Sequence, residues 1–245
     1  MCAYSSLAPL YDKLTDDVDY SAFADYYESV FRSRSKAVKT LLDVGCGTGT
    51  VTAIMAQRGY EMIAADSSAD MLCVAREKCS ELANAPQPLF LCQSMTELDL
   101  YGTVDAAISC LDAVNYLEPE GLPELFRLLH LFIEPDGILI FDINSPERLR
   151  SLDGFTSVDE DDDSLCLWRA DFDPEENALF YGMDIFTRRG RLWQRSFEEH
   201  IEYAHCPDML RQLLDKAGFK NIEIKSDGPQ AELSRLFIIA ENTAH

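Results

Sequence analysis

The sequence predicts an α/β protein built on a doubly wound, mostly parallel sheet of seven strands, with an antiparallel β insertion after the fifth. Three observations predict it. The apolar run Leu41-Leu42-Asp43-Val44 breaks into glycines at alternating positions, Gly45, Gly47 and Gly49, as a buried strand does when it delivers its backbone into a tight turn. Short apolar runs then alternate with segments of helical periodicity as far as residue 143, the pattern of parallel strands covered on both faces. From about Ser164 the period falls to two, which signals antiparallel hairpins.

Residues through Val38 read as helical, with Phe23, Tyr27, Val30 and Phe31 on one face and Ser21 available as a cap. Residues 4–12 ahead of them are too short and too punctuated for a core element. Behind the glycine turn, Val51, Ile54 and Met55 share a helical face. The second strand covers 61–66, and a helix starts at Ser67-Ser68-Ala69-Asp70, where a serine with an acid three residues later fits a capping box. The third and fourth strands fall at about 88–93 and 104–110. A helix over 122–133 carries Leu122, Leu125, Phe126, Leu129 and Phe132 at helical spacing and stops at Glu134-Pro135-Asp136-Gly137. The fifth strand follows at 138–143.

In the insertion, Leu179, Tyr181, Met183 and Ile185 alternate, as do Trp193, Arg195 and Phe197, about a turn at Arg189-Gly190. Trp168 and Trp193 read as hairpin core. His200 falls on the strand face opposite Phe197 and Ile201, which reads as the solvent face. A helix over 207–217 has proline in its first turn and Gly218 as its stop. The last two strands fall at 219–225 and 236–240.

A length of 245 residues with 47% hydrophobic content accommodates one α/β domain plus an insertion. No charged start leads into a signal-length apolar stretch, and no run approaches the roughly 20 apolar residues of a membrane span. A cytoplasmic protein without a membrane partner is expected. Eight cysteines show neither a CxxC pair nor a Cys/His cluster, so they read as reduced thiols, mostly small core residues. The four histidines show no ligand spacing, and no metal is expected. Forty-three acids against 21 bases give a net charge of −22, which argues against a nucleic-acid partner. The dense basic cluster Arg188, Arg189, Arg191 and Arg195 reads as a solvated hairpin tip, and residues 159–163 as a mobile acidic loop.

The glycine spacing discriminates between ligands. A dinucleotide fingerprint is G-x-G-x-x-G, which seats a diphosphate on a helix N-terminus. Here the spacing is G-x-G-x-G, with Asp43 two residues ahead of the first glycine. An acid beside the turn repels phosphate and welcomes a cation. Asp66 ends the second strand, where a carboxylate can accept both hydrogen bonds of a ribose diol; a helix cap is the competing role.

On these residues the segment 43–143 resembles the class I S-adenosylmethionine-dependent methyltransferases. The start at Tyr4 and Tyr11-Asp12 is similar to that of a branch of small bacterial methyltransferases. The resemblance implies a Rossmann-like sheet with S-adenosyl-L-methionine as cofactor. It places Asp43, Gly45, Cys46, Gly47 and Gly49 at the turn, Asp66 at the ribose and Ser67 also at the cofactor, and Met71 either against the adenine or in ordinary core packing. Ser94 and Met95 stand where the family has an acid and an apolar residue bracketing the adenine. Leu111, Asp112 and Asn115 lie in the loop that passes beneath the methionine portion, and Tyr11 is the lid contact. The substrate-pocket candidates are Tyr116, whose ring face suits a cationic methyl donor by about 0.5–2 kcal/mol, Asn144 at the tip of the fifth strand, and His200. The cofactor-binding domain then comprises 1–150, with 1–38 as an N-terminal lid, and 206–245. Residues 151–205 form a substrate lid.

Methyl transfer from a sulfonium is an in-line displacement in which alignment alone supplies roughly 7–11 kcal/mol. No catalytic triad is needed and no general base is named. The expected reaction is methylation of a small-molecule nucleophile, with an amine fitting best. The competing readings are a non-catalytic binding or assembly module, an RNA or protein methyltransferase, and a nicotinamide or flavin oxidoreductase. The last requires the wider glycine spacing.

Overall fold

A computed structural model describes residues 7–34, 37–83 and 85–243; Tyr4 and the segment around it lie outside them. Alternation within the apolar runs decides the layering. β1 (Thr40–Val44) pairs in parallel with β2 (Glu61–Asp66) and β4 (Val104–Ser109). β3 (Leu89–Cys92) extends the sheet beyond β2, and β5 (Ile133–Asn144) extends it beyond β4. β10 (Phe219–Lys225) and β11 (Arg235–Asn242) complete the order β10-β11-β5-β4-β1-β2-β3. β11 runs antiparallel to both β5 and β10.

Neighbouring residues on the central strands enter opposite cores, because strand side chains alternate and both faces are covered. Leu41, Ile108 and Ile140 pack with Phe23, Tyr27 and Met55 of α2 (Tyr20–Ser33) and α3 (Thr50–Gln57). Leu42, Ala107 and Leu139 pack with Leu125, Leu129 and Leu214 of α5 (Leu122–Phe132) and α7 (Pro207–Ala217). Among the described residues no helix is long and apolar enough to cross a membrane.

Several boundaries differ from expectation for local reasons. Asp19, rather than Ser21, caps α2 by accepting from the Ala22 N–H at 3.1 Å. Ser68 caps α4 (Ala69–Ser80) through the Met71 N–H, which places Ser67 ahead of the helix. β5 begins at Ile133 because a bulge, rather than a loop, absorbs residues 134–137. A short helix, α6 (Pro146–Ser151), follows β5 at once; its proline and the Ser145 cap were the signals for it.

The insertion is a four-stranded antiparallel sheet of β6 (Thr156–Glu160), β7 (Ser164–Asp173), β8 (Ala178–Arg189) and β9 (Leu192–Tyr203). The acidic run is strand and turn rather than a free loop. Asp159 and Glu160 pair with Cys166 and Leu165, and Asp161 accepts the Asp163 and Ser164 N–H groups as the side chain of a turn. Lys13 of the N-terminal segment pairs with Asp161.

The face assignment of β9 is the reverse of the expected one. Glu198, His200 and Glu202 are buried, whereas Phe197 is 51% exposed and Trp193, at the hairpin tip, is 49% exposed. On its inner side these three polar residues stand beside a cavity lined also by Leu7, Leu14 and Met183, so hydrophobicity misleads about which face of β9 points in. Trp168 is half-buried on that inner side. The cysteines are not mostly core either: Cys73, Cys92 and Cys206 are exposed, Cys79 and Cys166 are buried, and all seven described cysteines are free thiols.

The N-terminal segment with α1 (Tyr11–Leu14) lies over this sheet, where Leu7, Leu10 and Leu14 pack against Cys166, Met183 and Ile185. Asn115, expected in the cofactor pocket, is instead fully buried and ties β5 to β9. Its Nδ2 donates to the Asn144 and Tyr203 carbonyls at 3.3 and 2.9 Å, and its Oδ1 accepts from the Asn144 N–H at 3.0 Å. Asn115→Ala leaves these backbone groups without partners and should cost about 2–4 kcal/mol. Urea denaturation measures it, and an unshifted midpoint contradicts the role.

Candidate functional site

The β1–α3 turn is pinned to the end of β2. The Gly45 and Cys46 N–H groups both donate to the Ala65 carbonyl, at 2.8 and 3.1 Å. The Gly47 N–H donates to Asp66 Oδ2 and the Ser68 N–H to Asp66 Oδ1, each at 2.8 Å. Gly47 and Gly49 sit at φ +54° and +73°, which non-glycine residues rarely adopt. Their purposes differ. A Cβ on Gly49 would meet the Ala75 Cβ at 2.8 Å, so that glycine brings α3 and α4 together. A Cβ on Gly47 would meet nothing within 4 Å, so its bare backbone faces open space.

That space is a cleft along the carboxyl ends of the strands. Of the expected residues, Gly45, Gly47, Asp66, Ser67, Met71, Met95 and Leu111 line it. Tyr11 and Tyr116 border it as well. Asp43 and Cys46 line an adjoining recess with Tyr20. Gly49 does not line the cleft. Ser94 is turned to the next bend, where its hydroxyl accepts the Thr96 N–H at 3.3 Å, and Gln93 takes the lining position.

A second cavity of about 350 Å³ adjoins the cleft and shares Tyr11, Leu111 and Tyr116 with it. Asp112, Asn144 and His200 lie here. Arg235 holds its floor: the guanidinium pairs with Asp112 at 2.7 Å and with Asp142. Asp142 also accepts the Leu111 and Asp112 N–H groups, at 3.0 and 2.9 Å. Both residues of that loop are left-handed, at φ +54° and +53°, so the carboxylate fixes a strained bend. Burial alone would weaken the proton on Arg235, but Asp112 and Asp142 hold it charged.

The wall is β9. Glu202 accepts from Asn144 Nδ2 at 2.9 Å, and burial, reinforced by Asp112, pushes its carboxyl well above the ordinary range. His200 Nε2 stands 3.4 Å from Glu198, and its ring meets Tyr116 edge-on at 6.0 Å. The N-terminal segment forms the roof. The Leu7 N–H donates to Glu198 at 2.8 Å, and Asp12 accepts from the Thr48 hydroxyl at 2.5 Å while pairing with Lys78 at 2.8 Å.

Sequence reasoning missed Gln93, Tyr181, Glu198, Glu202 and Arg235, and it named Asp12 without a role. Three titratable residues at alternate positions on β9 were a usable sign that this face is enclosed. An arginine heading the apolar run of β11 was another.

Residues 41–137 match the family model described as a methyltransferase domain. The methyltransferase-family protein YqeM of Bacillus subtilis (strain 168) is 28% identical over 98% of this chain and 97% of its own length. A methyltransferase-family protein of Geobacillus sp. (strain WCH70) is 30% identical over 97% of this chain and 99% of its own. The chain belongs to the class I S-adenosylmethionine-dependent methyltransferases. A solved S-adenosylmethionine-dependent methyltransferase from Clostridium acetobutylicum shares the fold of this methyltransferase, with a TM-score of 0.83 at 24% identity over 98% of this chain and 99% of that one.

The cofactor of the methyltransferase is S-adenosylmethionine, and two observations show that the site suits it. Gly47 leaves its backbone open to a ligand. Asp43, 1% exposed and bound to the Thr52 hydroxyl at 2.5 Å, has a second oxygen with no hydrogen-bond partner among the described residues beside the recess, a natural complement to a cation. No group of three His, Cys, Asp or Glu arranged for a metal occurs among the described residues.

Burial pushes the Asp43 carboxyl from its ordinary 3.8 up to about 7. The folded state therefore keeps a proton that the unfolded chain has released. The resulting penalty is absent below the unfolded value, grows as pH rises, and is complete above the folded value, at up to roughly 4 kcal/mol. In the unliganded enzyme, the stability of Asp43→Asn relative to the native chain should rise by up to that amount between pH 4 and 7.5. Denaturation at several pH values measures it; a constant difference contradicts the buried, protonated carboxyl.

Proposed function

We propose that the enzyme methylates a small molecule, an amine in the first instance, held in the cavity between the N-terminal lid and the insertion sheet. One observation carries this reading: the larger cavity adjoins the cleft and shares Tyr11, Leu111 and Tyr116 with it. A nucleophile there can face a methyl group presented from the cleft while α1 and β9 keep bulk water out. At about 350 Å³, the cavity has the scale of a metabolite site. A relative named dTDP-3-amino-3,4,6-trideoxy-α-D-glucopyranose N,N-dimethyltransferase, from Streptomyces venezuelae, is 28% identical over 51% of this chain and 50% of its own length, which supports an amine.

Bound S-adenosylmethionine supplies a methyl on a sulfonium, and transfer forms the nucleophile–carbon bond as the carbon–sulfur bond breaks. Asp66 holds the ribose diol, its carboxylate fixed by the Gly47 and Ser68 N–H groups. Met71 and Met95 border the adenine. Asp43 and Cys46, with the glycine turn, take the methionine end. Tyr116 aligns the acceptor with the methyl carbon. His200, backed by Glu198, takes up the proton that the amine releases.

The test supplies labelled S-adenosylmethionine with a fractionated metabolite extract, and separately with RNA and with protein. Label should enter the small-molecule fraction; label in RNA or protein alone contradicts the proposal. Calorimetry on Asp66→Ala should show S-adenosylmethionine binding weakened about 10- to 100-fold, and an unchanged affinity would remove the ribose role.

A further inference from the structure

Arg148 stands in the first turn of α6, positioned by the Ser145 hydroxyl on its N–H at 3.1 Å and by fully buried Leu149 beside it. Its half-buried side chain lines the acceptor cavity and not the cofactor cleft. The other cation lining the cavity, Arg235, is already engaged with Asp112 and Asp142. Among the described residues the Arg148 guanidinium has neither a carboxylate nor a hydrogen-bond acceptor. In a chain with 43 acids and 21 bases, an uncommitted cation on a cavity wall stands out, because a carboxylate partner was abundantly available.

A second donor lines the cavity. Among the described residues Trp168 Nε1 is buried without a hydrogen-bond partner, and such a group costs free energy until an acceptor arrives. Half-buried Tyr181 lines the same cavity and feels the charges of Glu202, Asp112, Arg148 and Arg235 together. The cavity lining thus holds Asp112, already paired with Arg235, together with Glu202 and a guanidinium that nothing among the described residues neutralises.

The geometry points to an acceptor that carries an anionic group, a carboxylate or a phosphate, paired with Arg148 while its nucleophile faces Tyr116. This inference rests on the small-molecule reading above and narrows it to acceptors bearing both an amine and an anion. An amine without the anion would enter leaving the guanidinium desolvated and unpaired, so the pair acts as a filter on the substrate. The planar fork of arginine suits either oxyanion by two parallel hydrogen bonds.

The test uses the intact enzyme with methyl-labelled S-adenosylmethionine and a metabolite extract, and resolves the labelled products on a strong anion exchanger at about pH 11, where a methylated amine has lost its proton and only the anionic group carries charge. Labelled products should be retained, and phosphatase treatment separates the two sources: lost retention identifies a phosphate, persisting retention a carboxylate. With the acceptor fraction so isolated, Arg148→Gln should lower kcat/KM by about 10- to 100-fold, mainly through KM, with partial recovery in Arg148→Lys. Calorimetric affinity for S-adenosylmethionine should stay unchanged in both variants, which also shows that they fold. Unretained small-molecule products, or a native kcat/KM in Arg148→Gln, overturn this inference and leave the small-molecule reading standing. Label confined to RNA or protein overturns both.

Discussion

The site depends on the seam between the β1–α3 turn and the tip of β2. Two turn N–H groups share the Ala65 carbonyl, and a third takes one oxygen of Asp66. These bonds bend the backbone through left-handed conformations that glycine adopts without steric cost. They also aim a carboxylate that burial would otherwise leave free to reorient. The same seam reaches outward, since Thr48 in the turn grips Asp12 of the N-terminal segment. One local geometry therefore places the cofactor cleft and anchors its roof.

A second constraint sets the acceptor side. β11 runs against the direction of the parallel strands and brings Arg235 to the tips of β4 and β5. There the guanidinium balances Asp112 and Asp142, and Asp142 holds the strained bend at Leu111 and Asp112 by two backbone bonds. An isolated buried carboxylate would be costly; the triad makes it a fixed support. Leu111 lines both cavities, so its backbone bond to Asp142 holds a residue where the cleft and the second cavity meet. The insertion sheet and α1 close the space from the other side, so the roof and wall of the acceptor cavity come from segments outside the central sheet.

Much of this was legible in the sequence, and the reason lies in burial. Where both faces of a strand are packed, as at Leu41-Leu42, apolar runs separated by helical periods are unambiguous, and the glycine turn with Asp66 followed from spacing. Legibility failed where apolarity ceased to mean inside. On β9 the enclosed face carries Glu198, His200 and Glu202, while Phe197 points outward, so a period of two gave the strand and misassigned its sides. Asn115 and Ser94 had the polarity of ligand contacts but spend their hydrogen bonds on backbone. Arg235 was invisible as a site residue because its partners lie 93 and 123 positions away, a pairing that only the antiparallel return of β11 creates.

The central claim is that the glycine turn and Asp66 form one preorganised receptor for the cofactor's nucleoside. A crystal structure with S-adenosylhomocysteine tests it most directly. The account predicts both ribose hydroxyls within about 2.6–3.0 Å of the Asp66 carboxylate oxygens, with the Gly47 N–H still on Oδ2. A nucleoside bound elsewhere, or an Asp66 side chain rotated away from the sugar, would contradict it.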